Sequence, residues 1–121
     1  MISIRLTPTQ VSALECSWIE RPGSEPAPYD THAELVMRAA WSRAGWLDVE
    51  ERDAMHVWRE LIDLCNGEDA TAMDANAEPS QRRAARGASL ALGNLAEKVL
   101  RAGVAAGVID RLYGRAAAGA M

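Results

Sequence analysis

Residues 48–66, DVEERDAMHVWRELIDLCN, constrain the fold more than any other stretch of the chain. Ala54, Trp58, Leu61, Ile62 and Cys65 recur at the spacing of one stripe of a 3.6-residue helix. Val57 and Leu64 add a second stripe beside the first. The apolar surface is therefore wide, and a helix of this kind is expected to pack on two sides. Asp48 is the expected N-cap, and Glu51 completes a capping-box pattern. Glu50 and Glu51 place negative charge at the positive end of the helix dipole. Asn66-Gly67 is the expected stop, because both residues tolerate the left-handed conformation of a C-terminal cap.

The rest of the chain reads as shorter helices around this one. Thr7-Pro8-Thr9-Gln10 predicts a first helix, with Thr7 as cap, Pro8 in the first helical position and Gln10 closing a capping box. Val11, Leu14 and Trp18 form its apolar line, and Arg21-Pro22-Gly23 ends it near Glu20. Arg21–Asp30, with three prolines, is an extended connection that Tyr29 anchors. A second helix starts at Asp30 or Thr31, with Thr31-x-x-Glu34 as its box, and closes at Gly45. Leu35, Val36, Ala39 and Ala40 are expected on one side of it, and Met37, Trp41 and Ala44 on another. Trp46 and Leu47 then form a very short link to the Asp48 helix, with Trp46 as a staple residue. Residues 67–79 are expected as an acidic loop, with Glu78-Pro79 opening the next helix. That helix covers about Ser80–Arg101 along Ala84, Ala85, Ala88, Leu92, Leu95, Ala96 and Val99. Small residues at Ala84/Ala88 and Gly87/Ala91 suit a close helix approach. Gly103 and Gly107 bracket a break before a short helix from Val104 to Tyr113, and residues 114–121 form a flexible tail.

Residues 1–6 alternate Ile2, Ile4 and Leu6 with Ser3 and Arg5, a period-two pattern. No second strand stands out, so the expectation is an extended arm laid on the helices. The sharper alternative is a strand completed by a partner or by a second copy. The fold class is thus all-α: one domain over residues 1–121, an irregular bundle of four to five helices with a short extended N-terminal segment.

Composition narrows the functional classes. The apolar fraction is 49 %, much of it alanine, and there is no Phe. Four Trp with Leu, Ile and Val must supply the bulk of the core. Cys16 and Cys65 lie on expected helices and read as buried thiols of a reducing compartment. No stretch approaches the roughly 18 apolar residues of a membrane span, and no leader pattern opens the chain. The expectation is a cytoplasmic protein with no membrane contact.

Charge is divided unevenly. Residues 1–78 hold fifteen acids against six arginines, a balance of -9. Residues 79–121 hold six Arg and Lys98 against Glu97 and Asp110, a balance of +5. Such asymmetry points either to pairing within the chain or to a polar partner surface.

Catalytic signatures are missing. There is no G-x-S-x-G, P-loop, dinucleotide fingerprint or zinc cysteine array. Asp53, His56, Glu60 and Asp63 fall at helical spacings, yet only one Asp-x-x-His unit exists, where a di-metal site needs two. The line reads as a solvated face, with no metal and no cofactor. Cys65 sits on the apolar stripe, where a thiol is inert packing. No enzyme is expected. A helix-turn-helix reading of Trp41–Val49 fails on the acidic start of the following helix, which repels phosphates.

Two sets of charges remain. Glu50, Glu51, Glu60, Asp63, Glu68 and Asp69 form an expected acidic face for a basic partner. Arg82, Arg83 and Arg86 crowd the first turns of a helix, where the dipole disfavours cations. They read first as partners of the chain's own acids, and otherwise as contacts for phosphates or carboxylates. No motif carries a family resemblance. In overall style (small, acidic, alanine-rich, without a catalytic signature) the chain is similar to accessory proteins of phages and mobile elements. Among these are inhibitors of host defence complexes, including anti-CRISPR proteins. That similarity implies a non-enzymatic inhibitor docking through an acidic surface on a basic nucleic-acid-binding complex. The alternatives are a small DNA- or RNA-binding regulator using the Arg cluster, and a self-assembling helical subunit, a homo-oligomer.

Overall fold

The computed structural model describes residues 1–18, 32–41 and 45–109. They are mostly helical, with one short two-stranded sheet. Strand β1 (Ile2–Arg5) leads to helix α1 (Pro8–Trp18). Helix α2 (His32–Ala40) and strand β2 (Trp46–Val49) follow. A single 3₁₀ turn (Glu51–Asp53) opens into α3 (Ala54–Ala72), and α4 (Pro79–Ala105) completes the described chain.

The expected helix start at Asp48 is wrong, and the expected arm is a strand. β1 pairs antiparallel with β2, with Ile4 opposite Leu47 and Ser3 opposite Asp48. Asp48 therefore caps no helix. Its carboxylate accepts a 2.8 Å hydrogen bond from Ser3 Oγ. The reason is burial: Leu47 and Val49 alternate into the core beside Ile4, and the sheet satisfies their backbone groups. A cap is worth about 1 kcal/mol, less than burying two large aliphatic side chains at about 1.5–3 kcal/mol each. Trp46, expected as a helix staple, instead pairs with Arg5. Gly45, at φ +81, turns the chain into β2, and its carbonyl accepts from Leu6 N–H at 2.8 Å.

Helix α3 also ends later than expected. It passes through Asn66-Gly67 and stops at Ala72. Contacts with α4 hold the extra turn: Ser89 Oγ donates to Asp69 Oδ1, Cys65 Sγ donates to Ser89 O at 3.4 Å, and Ala72 is buried. The acidic loop expected over residues 67–79 shrinks to residues 73–78. Asp74 organises that turn, accepting from Asn76 N–H at 2.9 Å and from Ala77 N–H at 3.2 Å.

The α1 cap is as expected. Thr7 N–H donates to Gln10 Oε1 at 3.0 Å, and Gln10 N–H donates to Thr7 Oγ1 at 3.2 Å. At α4, Glu78 N–H donates to Gln81 Oε1 at 3.1 Å with Pro79 in the first turn. Gly103 does not break α4. The break comes at Gly107 (φ +76), where Gly107 N–H reaches Val104 O and Val108 N–H reaches Gly103 O. That is a Schellman motif. Val104 thus belongs to α4 rather than to a separate last helix.

Helices α3 and α4 form an antiparallel hairpin, with α1 against α4 and α2 against α3. Ala54, Val57, Trp58 and Leu61 are all buried, which is the two-sided packing that their spacing predicts. Among the described side chains of α2, Val36, Met37 and Ala40 are buried, as is Trp41 just after it, while Leu35 and Ala39 are exposed. On α4, Ala84, Gly87 and Leu90 face out, so of the small-residue pairs expected to allow close approach only Ala88 and Ala91 pack on the core. At Gly93 a Cβ would lie 3.7 Å from Cys65 Sγ, an ordinary contact distance. The Arg21–Asp30 connection, the Thr31 cap, the helix end before Gly45, the expected last helix beyond residue 109, the tail and the Cys16 and Trp18 side chains lie outside the described residues.

Candidate interaction surfaces

The acids singled out from the sequence do not share one patch. Glu50 and Glu51 precede α3, while Glu68 and Asp69 lie near its far end. At 1.5 Å per residue, these two ends are roughly 25 Å apart. Glu51 and Asp63 are exposed, and Glu60 and Glu68 are half-buried. Asp69 is engaged by Ser89 across the helix pair, so it serves the fold.

What the sheet adds is an acidic cleft at the β2–α3 junction. Asp48, Glu50 and Asp53 line it together with Met1, Val36, Ala39 and Ala40. Its volume is about 190 Å³. Arg52 reaches Glu50 at 3.7 Å and Asp53 at 3.9 Å, but its side chain is largely in solvent, where such pairs contribute little. The sequence does not mark Asp48 and Asp53 as partner-facing acids, because their neighbourhood depends on β2.

The arginines do meet around one feature. Arg82, Arg83 and Arg86 line a cleft of about 250 Å³ with Ala72 and Pro79. Among the described residues, none of the three has a carboxylate within 4.0 Å. The pairing with the chain's own acids that the sequence favoured is therefore not found among those residues. The Asp53, His56, Glu60, Asp63 line gathers no set of three potential metal ligands among the described residues. Cys65 is half-buried with its thiol on Ser89, consistent with packing.

A third cleft has no local sequence signal. Arg5, Leu6, Thr7, Pro8 and Val11 form one wall, Gly45 and Trp46 another, and Lys98 of α4 closes it. Its volume is about 610 Å³. Lys98 Nζ donates to Gln10 Oε1 at 3.2 Å and lies 3.5 Å from the Arg5 carbonyl.

No helix among the described residues is long and apolar enough to cross a membrane. The chain matches no protein-family model, no curated protein and no solved structure.

Proposed function

We propose that this protein is a non-enzymatic, cytoplasmic binding protein, an irregular helical bundle that docks through acidic surface on a basic nucleic-acid-binding complex. The role fits a small inhibitor of the kind carried by phages and mobile elements, similar in style to anti-CRISPR proteins. The observation that supports it is the cleft of Asp48, Glu50 and Asp53 over an apolar floor. An Arg or Lys side chain laid there rests its stem on Val36 and Ala39 and brings its cation to the carboxylates. Glu51, next to Glu50 in the chain, and Asp63, farther along α3, are both exposed and add to the acidic surface. The test is titration of guide-RNA-loaded defence complexes with wild-type protein and with Glu50→Lys/Glu51→Lys/Asp63→Lys. Salt-sensitive association that the charge reversal abolishes supports the reading. No association, or association indifferent to the reversal, removes it.

A second reading rests on the arginine cleft: a regulator contacting DNA or RNA phosphates through Arg82, Arg83 and Arg86. Three cations around one concavity, without a carboxylate partner among the described residues, favour it. Removing one phosphate-binding arginine lowers the salt slope of binding by about 1. A gel shift that persists in Arg82→Ala/Arg83→Ala/Arg86→Ala rules this reading out.

A further inference from the structure

We propose that the cleft between the β1–α1 corner, β2 and α4 is a binding site for a small organic anion, one acidic head group on a flat apolar body. It is independent of the acidic docking surface and of the arginine cleft.

The argument begins with size and shape. At about 610 Å³ the cleft lies within the range of small-molecule sites, which is roughly 300–1,000 Å³. Four separate elements build its walls, so its form follows from the fold and not from one loop. Leu6, Val11 and the half-buried Trp46 line it with apolar residues, and an indole is a surface on which flat groups pack.

The charge lining the cleft has one sign. Among the described residues, Arg5 and Lys98 are the ionised ones lining it, and no Asp or Glu does. Neither cation has a carboxylate within 4.0 Å among the described residues. Glu97, the acid beside Lys98 in sequence, is taken by Arg101 at 2.6 Å. In a protein of net charge -4, two cations without a carboxylate partner among the described residues thus share one concavity.

Lys98 is also held in place. Its ammonium is bonded to Gln10 Oε1, and Gln10 is only 3 % exposed. The same Oε1 accepts from Thr7 N–H, so the capping box of α1 fixes the atom that positions the lysine. An ammonium has three donors, and the Gln10 and Arg5 carbonyl oxygens occupy two. The third is left for a ligand. Arg5 also lines the cleft, and a guanidinium is a planar fork suited to carboxylate or phosphate oxygens. Thr7 and Pro8, at the N-terminal end of α1, line the same cleft.

The experiment is NMR titration of the full chain with four probes. Benzoate and phenyl phosphate carry head and body, inorganic phosphate the head alone, and benzyl alcohol the body alone. Benzoate or phenyl phosphate is expected to shift the Thr7, Val11, Gly45 and Trp46 resonances saturably, with Kd on the order of millimolar or tighter. Each half-probe is expected to bind about tenfold more weakly. Lys98→Met and Arg5→Gln, both at exposed positions, are each expected to weaken binding at least about tenfold while the remaining spectrum is kept. Absence of saturable shifts overturns the proposal. So does binding that both variants retain, or shifts that map to Arg82, Arg83 and Arg86. The last outcome leaves the docking proposal untouched, because none of its acids lines this cleft.

Discussion

Ser89 Oγ donates a 2.5 Å hydrogen bond to Asp69 Oδ1, joining α4 to the last turns of α3. Ser89 is 7 % exposed, and its hydroxyl also lies 3.5 Å from Cys65 Sγ. This one contact explains two departures from the sequence reading: α3 runs past Asn66-Gly67, and Asp69 is a structural acid. Ser89→Ala removes the donor and leaves the carboxylate to water. The expected cost is about 1 kcal/mol, below the 1.5–3 of a fully buried charged bond, because Asp69 is exposed. Asp69→Asn keeps an acceptor and is expected to cost less. Urea midpoints for the two variants check this, and a Ser89→Ala midpoint equal to wild type refutes it.

Two glycines of α4 are expected to respond with opposite signs. A Cβ on Gly103 would lie 2.7 Å from Ile109 Cγ1, inside contact distance, and Ile109 is 2 % exposed. Gly103→Ala gains about 1 kcal/mol of helix propensity but displaces an isoleucine whose burial is worth roughly 1.5–3. A net loss of about 1 kcal/mol is expected. Gly87 meets nothing within 4 Å, so Gly87→Ala is expected to stabilise by about 0.5–1 kcal/mol. In Gly103→Ala/Ile109→Ala the clash is gone, and the double variant is expected to be no less stable than Ile109→Ala alone. Thermal melts of the four variants supply the check.

The strand pair gives the third prediction. Ile4 is buried opposite Leu47, while Ile2 is only half-buried. Ile4→Ala is expected to cost about 2–4 kcal/mol, and Ile2→Ala about half as much. Faster amide exchange at Leu47 and Val49 in Ile4→Ala accompanies it if the sheet unfolds as a unit. An arm merely resting on the helices would leave those amides unchanged, so the exchange experiment separates the two arrangements.

Legibility in the sequence followed the distance over which each feature is determined. Thr7 with Gln10 and Glu78 with Gln81 carry their caps three residues away, and both were readable. The burial of Val57, Trp58 and Leu61 follows from spacing within one helix. Strand β2 was not readable, because four residues overlap a good capping pattern and their partner is about 45 residues earlier. The acidic cleft inherits that failure, since Asp48 enters it only from a strand. Asn66-Gly67 looked like a stop because Ser89, which holds the helix beyond it, lies on another element. Arg82, Arg83 and Arg86 were legible as a cluster, being nearly adjacent. The pairing of Lys98 with Arg5 and Gln10 spans about 90 residues and left no local mark.

The arginine cluster yields a prediction whose sign is diagnostic. Arg82 and Arg86 are four apart on α4, where like charges repel by about 0.2–0.5 kcal/mol. Arg82 stands at the end of the first turn, where the helix dipole adds a further penalty. Arg86 is exposed and, among the described residues, has no carboxylate within 4.0 Å. Arg86→Gln keeps most of the side-chain stem and removes the charge. It is expected to stabilise the protein by about 0.2–0.5 kcal/mol at low ionic strength. In 1 M salt, where the screening length is about 3 Å, the gain is expected to vanish. Were the guanidinium paired with an acid of its own chain, the same change would destabilise. Denaturation at the two salt concentrations therefore reads directly whether this cation serves the fold. A stabilising charge removal means that the arginine is kept at a cost to the folded state, as a group facing an external anion would be.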